Sequence, residues 1–399
     1  MKGRRGGAAV AALALSSAGG AHAQTVAAAP APAVRAIADA RLRYDQLDQE
    51  GRGSSVDTVK LRLLVGGEAQ LAARLRGLGE VELIEALYDN QDDRPSDLRL
   101  SSEALDVNRA QLSWTGLPDT EVTIGRQTIV INDGRFIGNG ETRQNDQTFD
   151  AVKIVNRSFA PVTLTYAYLD AALRPARQVT TAARLDNDSH LLQAEVETAL
   201  GRLSTYGYLL DFPQVPAQSS ASFGVRLTGR RLVGEGLHAV YTAEYAHQTD
   251  YGANPARFGL RYTHLETGLQ SQDWSVTGSL EWLDGDGERG FLVPLSSEYG
   301  FHGWSDAIFN APPDGLLDIN LKATARLSRV PIGDGLQLTA AAYALSDADG
   351  AEPFGRELDV SATTRLTPRL TLDARAALFG GRGGYADRTT IRVAARWKL

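Results

Sequence analysis

Charged side chains at every second position are the part of this sequence that can do chemistry. In 389–399, Arg392, Arg396 and Lys398 alternate with Ile391, Val393, Ala395, Trp397 and Leu399; in 318–327, Lys322 and Arg326 alternate with Ile319, Leu321, Ala323, Ala325 and Leu327. Successive strand side chains point to opposite faces, so each segment has one apolar and one cationic face. Rows of fixed cations around a confined space sort solutes by sign and ease the passage of anions. The same parity assigns Arg41, Arg43, Lys60, Arg62, Arg109, Arg226, Arg261, Arg365 and Arg375 to polar faces, with Asp45, Glu80, Glu82, Glu195, Glu197, Glu244, Glu281, Asp359 and Asp373. Two readings stay open: a basic ladder lining a pore, or arginines paired with these acids to brace a wall.

Other chemistry is poorly supplied. There is no cysteine, hence no disulfide, thiolate metal site or thiol nucleophile. Neither G-x-S-x-G, H-E-x-x-H nor a Walker motif occurs, and His190, His238, His247, His264 and His302 each stand alone in sequence. The run Asp284, Asp286, Glu288 and the pair Asp347, Asp349 fall short of a full oxygen-ligand loop for calcium. Gly380 to Gly384 precedes a strand, where a phosphate cradle would precede a helix. The expectation is therefore no catalytic residue, no metal and no cofactor.

The elements that position these charges repeat one pattern: alternating segments of roughly ten residues closed by Gly, Asp, Asn or Pro. Their starts fall near 40, 57, 72, 107, 120, 148, 162, 189, 201, 221, 237, 257, 274, 318, 335, 356, 369 and 389. About eighteen antiparallel strands, near the ~9–11 residues that cross a bilayer, suit a closed outer-membrane barrel. Closure matters because lipid offers no partner to an unpaired strand edge. On such a wall a lipid-facing charge near the midplane costs ~2–4 kcal/mol, which turns the cationic faces inward. Short turns are expected at 331–334 and 366–369, and long extracellular or pore loops at 132–147, 171–188 and 284–317.

The ends of the chain agree. Lys2, Arg4 and Arg5 precede the apolar run Ala8 to Leu15, and Ala21-His22-Ala23 precedes Gln24, the pattern of a signal peptide over 1–23. Residues 24–39 read as a flexible leader and 40–399 as the barrel. Removal of the signal leaves 38 basic against 48 acidic side chains, a formal charge of −10. Such a chain is a poor nucleic-acid binder; its expected partners are outer-membrane lipid, the barrel assembly machinery and an anionic small molecule or oligosaccharide.

One stretch carries more than periodicity. From Val122 to Ile154 it places Gly125, Arg126 and Gln127, then Gly134, Arg135, Phe136 and Gly138, then Arg143, Gln144, Asn145, Thr148, Phe149, Asp150 and Ala151. In this order the chain resembles the alginate export family of outer-membrane porins. The opening ARLRYDQLDQEG, and Gly303, Trp304, Asp306, Pro313, Asp314, Gly315 and Asp318, are similar to further family patches. Leu399 departs from the family's aromatic C-terminal residue, with Trp397 two positions earlier. The resemblance implies passive transport of anionic hydrophilic solutes. It also implies that 132–147 folds inward, giving Arg126, Asp133, Arg135, Glu141, Arg143, Asp146 and Asp150 as constriction and substrate-contact residues. A structural or adhesive barrel that binds a surface partner through its loops is the alternative.

Overall fold

A computed structural model describes residues 34–90, 104–140, 143–174, 184–297 and 300–399. The expected signal peptide and most of the leader lie outside the described residues, as does Glu141. The first six strands are β1 (Val34–Gln49), β2 (Val56–Ala72), β3 (Leu75–Asp89), β4 (Ala104–Trp114), β5 (Thr120–Gln127) and β6 (Thr148–Phe159). Next come β7 (Val162–Leu173), β8 (Arg184–Thr198), β9 (Gly201–Leu210), β10 (Ser220–Gly234), β11 (Leu237–Asp250) and β12 (Gly259–Gln270). The last six are β13 (Trp274–Leu283), β14 (Leu316–Leu327), β15 (Leu336–Ser346), β16 (Pro353–Thr367), β17 (Leu370–Gly381) and β18 (Arg388–Lys398).

Each strand pairs antiparallel with its neighbours in one 18-stranded sheet. β1 closes it on β18, in register from Asp39↔Lys398 to Gln49↔Arg388. The first strand begins at Val34, so residues 34–39 belong to the wall and not to a leader. Asp39 shows why: its carboxylate takes the Arg396 guanidinium across that seam, at 2.6 Å. The expected loop at 171–188 is shorter, since β7 continues to Leu173 and β8 starts at Arg184.

No helix among the described residues is long and apolar enough to cross a membrane; the crossing elements are strands. The wall is inside-out relative to a soluble fold. Leu321, Leu338, Val360 and Val393 are exposed on the outer face, whereas Arg43, Lys60, Arg62, Glu281, Asp318 and Asp359 are buried within. Both described chain ends share one rim with short turns such as 73–74, 160–161, 199–200 and 368–369. The opposite rim carries the longer loops 128–147 and 284–315. Short periplasmic turns against long extracellular loops are the pattern of outer-membrane barrels.

Candidate functional site

Loop 128–147 leaves β5 and turns into the barrel, where Phe136 and Ile137 become core residues. Two glycines of the recognised stretch are there for steric reasons. Gly125 holds φ at +111°, and a Cβ would stand 2.3 Å from the Ala110 carbonyl oxygen on β4. A Cβ on Gly138 would stand 1.9 Å from Ser297 Oγ, so only glycine lets the two long loops touch. They do so through backbone bonds: Gly138 N–H donates to Leu295 O at 2.9 Å and Ser297 N–H to Gly134 O at 2.9 Å. Gln147 Nε2 donates to both Gly138 O and Leu295 O. Beneath them Phe136 packs on Tyr262 and Phe291, with ring centroids 5.1 and 5.7 Å away. The inner layer is thus a loop pair with its own aromatic core.

This layer is tied to the wall on two sides. At the β1–β2 side, Arg41 Nε donates to Gln144 Oε1 at 3.0 Å, Arg62 Nη1 to Asp146 Oδ1 at 2.9 Å, and Gln144 Nε2 to Lys60 O at 3.2 Å. At the far side Gln193 Nε2 donates to Asn132 Oδ1 at 2.8 Å, and Arg226 Nη2 meets Asp133 Oδ2 at 2.9 Å while also pairing with Glu244. Arg135 reaches the β13 wall and pairs with Glu281, which also accepts from the Tyr262 hydroxyl at 2.9 Å. Its other arm meets His302 Nε2 at 2.8 Å, and His302 Nδ1 lies 3.1 Å from Asp318 Oδ2. Arg135 is 2% exposed. Burial opposes its charge and the Glu281 carboxylate overrides that, so the guanidinium is held above its usual value. Loop 284–315 has its own anchor: the Trp304 and Ser305 N–H groups donate to Glu357 Oε1 on β16, at 2.5 and 2.8 Å.

The expected site residues divide accordingly. Asp133, Arg135, Arg143 and Asp146 lie in the inward loop, and Arg143 faces Asp306 of the second long loop at 3.5 Å. Arg41, Arg43, Lys60 and Arg62 point inward as parity requires, but they are buried in joints and do not line an open lumen. Arg43 donates to Asp45 at 2.5 Å, and Lys60 lies 2.9 Å from Asp89. Arg109, Arg375, Arg392 and Arg396 are inward and paired with Glu80, Asp373, Asp45 and Asp39. Lys322, Arg326 and Arg365 are inward by parity and exposed.

Three expectations are corrected. Arg126 and Asp150 are not at the constriction: they pair with each other at 2.9 Å on the outer face, because their neighbours Gln127 and Phe149 take the inward positions. Arg261 also faces outward, since Leu260 and Tyr262 fill the inward positions of β12. It pairs with Asp284 at 3.0 Å and lies over the Trp282 ring at 5.1 Å. It sits near the strand end, where an outward charge costs ~0–1 kcal/mol, so the midplane rule does not reach it.

Sequence reasoning also missed residues. A cavity of about 510 Å³ lies between the loop and β6–β10, lined by Lys153, Arg157, Arg202 and Arg226 with Asp133 and Glu195, and by hydroxyls of Thr163, Thr165, Ser204 and Thr228. Lys153 and Arg157 form no ion pair among the described residues. Their signal was available, since both take the parity opposite to Val152 and Ile154. A second cavity of about 310 Å³ adjoins it across the Asp133–Arg226 pair, with His264, Glu266, Glu281 and Lys322 in its lining. His302 and Asp318 lie far apart in sequence from Arg135, and only the fold joins them.

No protein-family model and no curated protein matches the sequence. Solved structures do match. OccAB4 of Acinetobacter baumannii superposes with a TM-score of 0.74 at 11% identity, covering 92% of this chain and 98% of that one. OccK11 (OpdR) of Pseudomonas aeruginosa gives 0.68 at 14% identity over 92% and 96%. OpdK of Pseudomonas aeruginosa, solved with vanillate, gives 0.69 at 16% identity over 91% and 98%. At these identities the likeness establishes architecture, and the chain has the closed eighteen-stranded fold of outer-membrane porins.

Proposed function

We propose that this barrel is a passive channel for small hydrophilic anions. The observation that carries the reading is the cavity under the inward loop, where Lys153 and Arg157, which form no ion pair among the described residues, stand beside Arg202, Arg226 and four hydroxyl groups. Cations next to hydroxyl donors offer a carboxylate both charge and hydrogen bonds. The vanillate in OpdK is an aromatic carboxylate held in a barrel of this fold, which supports the same solute class. Acidic oligosaccharide is a narrower form of the proposal, and its support is the motif resemblance to alginate export porins. In this reading solutes diffuse past the loop layer, and the buried Arg41 and Arg62 hold that layer to the wall.

A structural or adhesive barrel is favoured by one finding, the number of inward charges locked in pairs. Planar-bilayer recording across a salt gradient separates the two. A current with a reversal potential on the anion side is expected, with stronger block by acidic than by neutral oligosaccharides of equal length. Cation preference would overturn the solute class, and absence of any current would select the structural barrel.

A further inference from the structure

Among the described residues, Asp133 and Arg226 alone line both lumen cavities, so their ion pair is the partition between a space of about 510 Å³ and one of about 310 Å³. Arg226 stands on β10 between two carboxylates. Its Nη1 pairs with Glu244, its register partner on β11, and its Nη2 lies 2.9 Å from Asp133 Oδ2. One guanidinium charge thus faces two carboxylate charges, and a solute carboxylate can reach it only where one of them gives way.

The two carboxylates are held very differently. The Glu244 side chain is 1% exposed and also accepts from the Tyr206 hydroxyl at 2.6 Å. The Asp133 side chain is 33% exposed and has a second place to bond, since its Oδ1 accepts the Arg135 N–H at 3.1 Å within the loop. The backbone around it is pinned. Asn132 Oδ1 accepts from Gln193 Nε2 at 2.8 Å, Gly134 N–H donates to Ile131 O at 3.0 Å, and Gly134 O accepts from Ser297 N–H at 2.9 Å. Motion at 133 is therefore rotation of one short side chain, a fast event that leaves the loop in place.

We infer that Arg226 is the recognition site for the solute's carboxylate and that Asp133 is its built-in competitor. An entering carboxylate takes the place of Asp133 on Nη2, Asp133 turns aside, and the two cavities become one passage. The inference rests on the anion-channel reading above and adds a selectivity rule to it. A solute carboxylate restores the charge-assisted bond that Asp133 gives up and brings a second oxygen for the guanidinium fork, a fit that chloride lacks. Lys153, Arg157 and Arg202 on the wall of the larger cavity draw in anions of any shape. The Asp133–Arg226 partition then sorts carboxylates from halides.

Benzoate is the probe and chloride the reference, both applied to the full-length barrel. Asp133→Asn keeps an oxygen for the Arg135 N–H and removes the competing charge. Glu195→Gln is the control: it removes a carboxylate from the same cavity wall two strands away, with Ser204 between it and Arg226. By calorimetry, Asp133→Asn should bind benzoate roughly fivefold more tightly than wild type, the change expected for a partly exposed ion pair. Its benzoate-to-chloride permeability ratio, read from bi-ionic reversal potentials, should fall, because chloride no longer meets a closed partition. Glu195→Gln should favour both anions alike and leave that ratio unchanged. Equal changes in the two variants would overturn the exchange and leave Asp133 as one more wall charge, with anion preference intact. Benzoate binding no tighter than benzamide, in wild type and variants alike, would instead bring down the anion-channel reading and the exchange with it.

Discussion

Replacing Arg135 with alanine isolates the strongest joint between loop 128–147 and the barrel wall. Arg135 is buried, pairs with Glu281, meets His302 Nε2 at 2.8 Å and lies over the Phe301 ring at 4.8 Å. Removing one partner of a buried pair costs ~3–5 kcal/mol, because the other charge stays buried without its counter-ion. Among the described residues Glu281 keeps the Tyr262 hydroxyl at 2.9 Å and the more distant His302. The loss of cation–π contact adds ~0.5–2 kcal/mol. The barrel itself is held by eighteen paired strands, so the cost falls on docking of the loop layer. Two readouts follow: a lower urea midpoint for the folded, fast-migrating gel form, and single-channel current that is larger and noisier than wild type. Glu281→Gln added to Arg135→Ala removes the stranded charge, and the coupling between the two changes should be about 1–3 kcal/mol. A single mutant with wild-type midpoint and quiet wild-type current would refute the view that this pair anchors the loop. Additive effects in the double mutant would refute it as well.

The exchange Lys153→Glu with Arg157→Glu should move the reversal potential toward the cation side, because it replaces two cations of the cavity wall with carboxylates. The shift should fade between 0.1 and 1 M salt as the Debye length falls from ~10 to ~3 Å. Arg261→Gln should leave the reversal potential unchanged, since that side chain faces outward over Trp282; a clear shift would return it to the lumen. Deleting residues 389–399 should abolish heat-modifiable migration, because β1 then loses its register partners from Asp48 to Asp39 and two edges face lipid. Insertion of the truncated chain with a heat shift would refute the closure by β18.

The strand array was legible because its signal is local. Period-two alternation and turn residues show wherever one face meets lipid, and they located starts such as Thr120, Thr148, Val162, Gly201, Leu237 and Trp274 directly. The inward loop was legible too, through its charges and the resemblance carried by 122–154, whereas the steric need for glycine at 125 and 138 appears only in the fold. Parity failed where its premise fails, at strand ends: Arg126, Asp150 and Arg261 lie where an outward charge is cheap and can find a local partner. What sequence could not contain is pairing. Whether Arg62 lines water or bonds Asp146, whether Arg135 meets Glu281, and whether His302 joins Asp318 all depend on loops returning across a closed barrel. Alternation is set by each residue's own side of the sheet, whereas a counter-ion is set by which distant segment fills the space opposite. Closure of the sheet decides that, and it paired most of the expected ladder cations with carboxylates while placing Lys153 and Arg157 in the cavity wall.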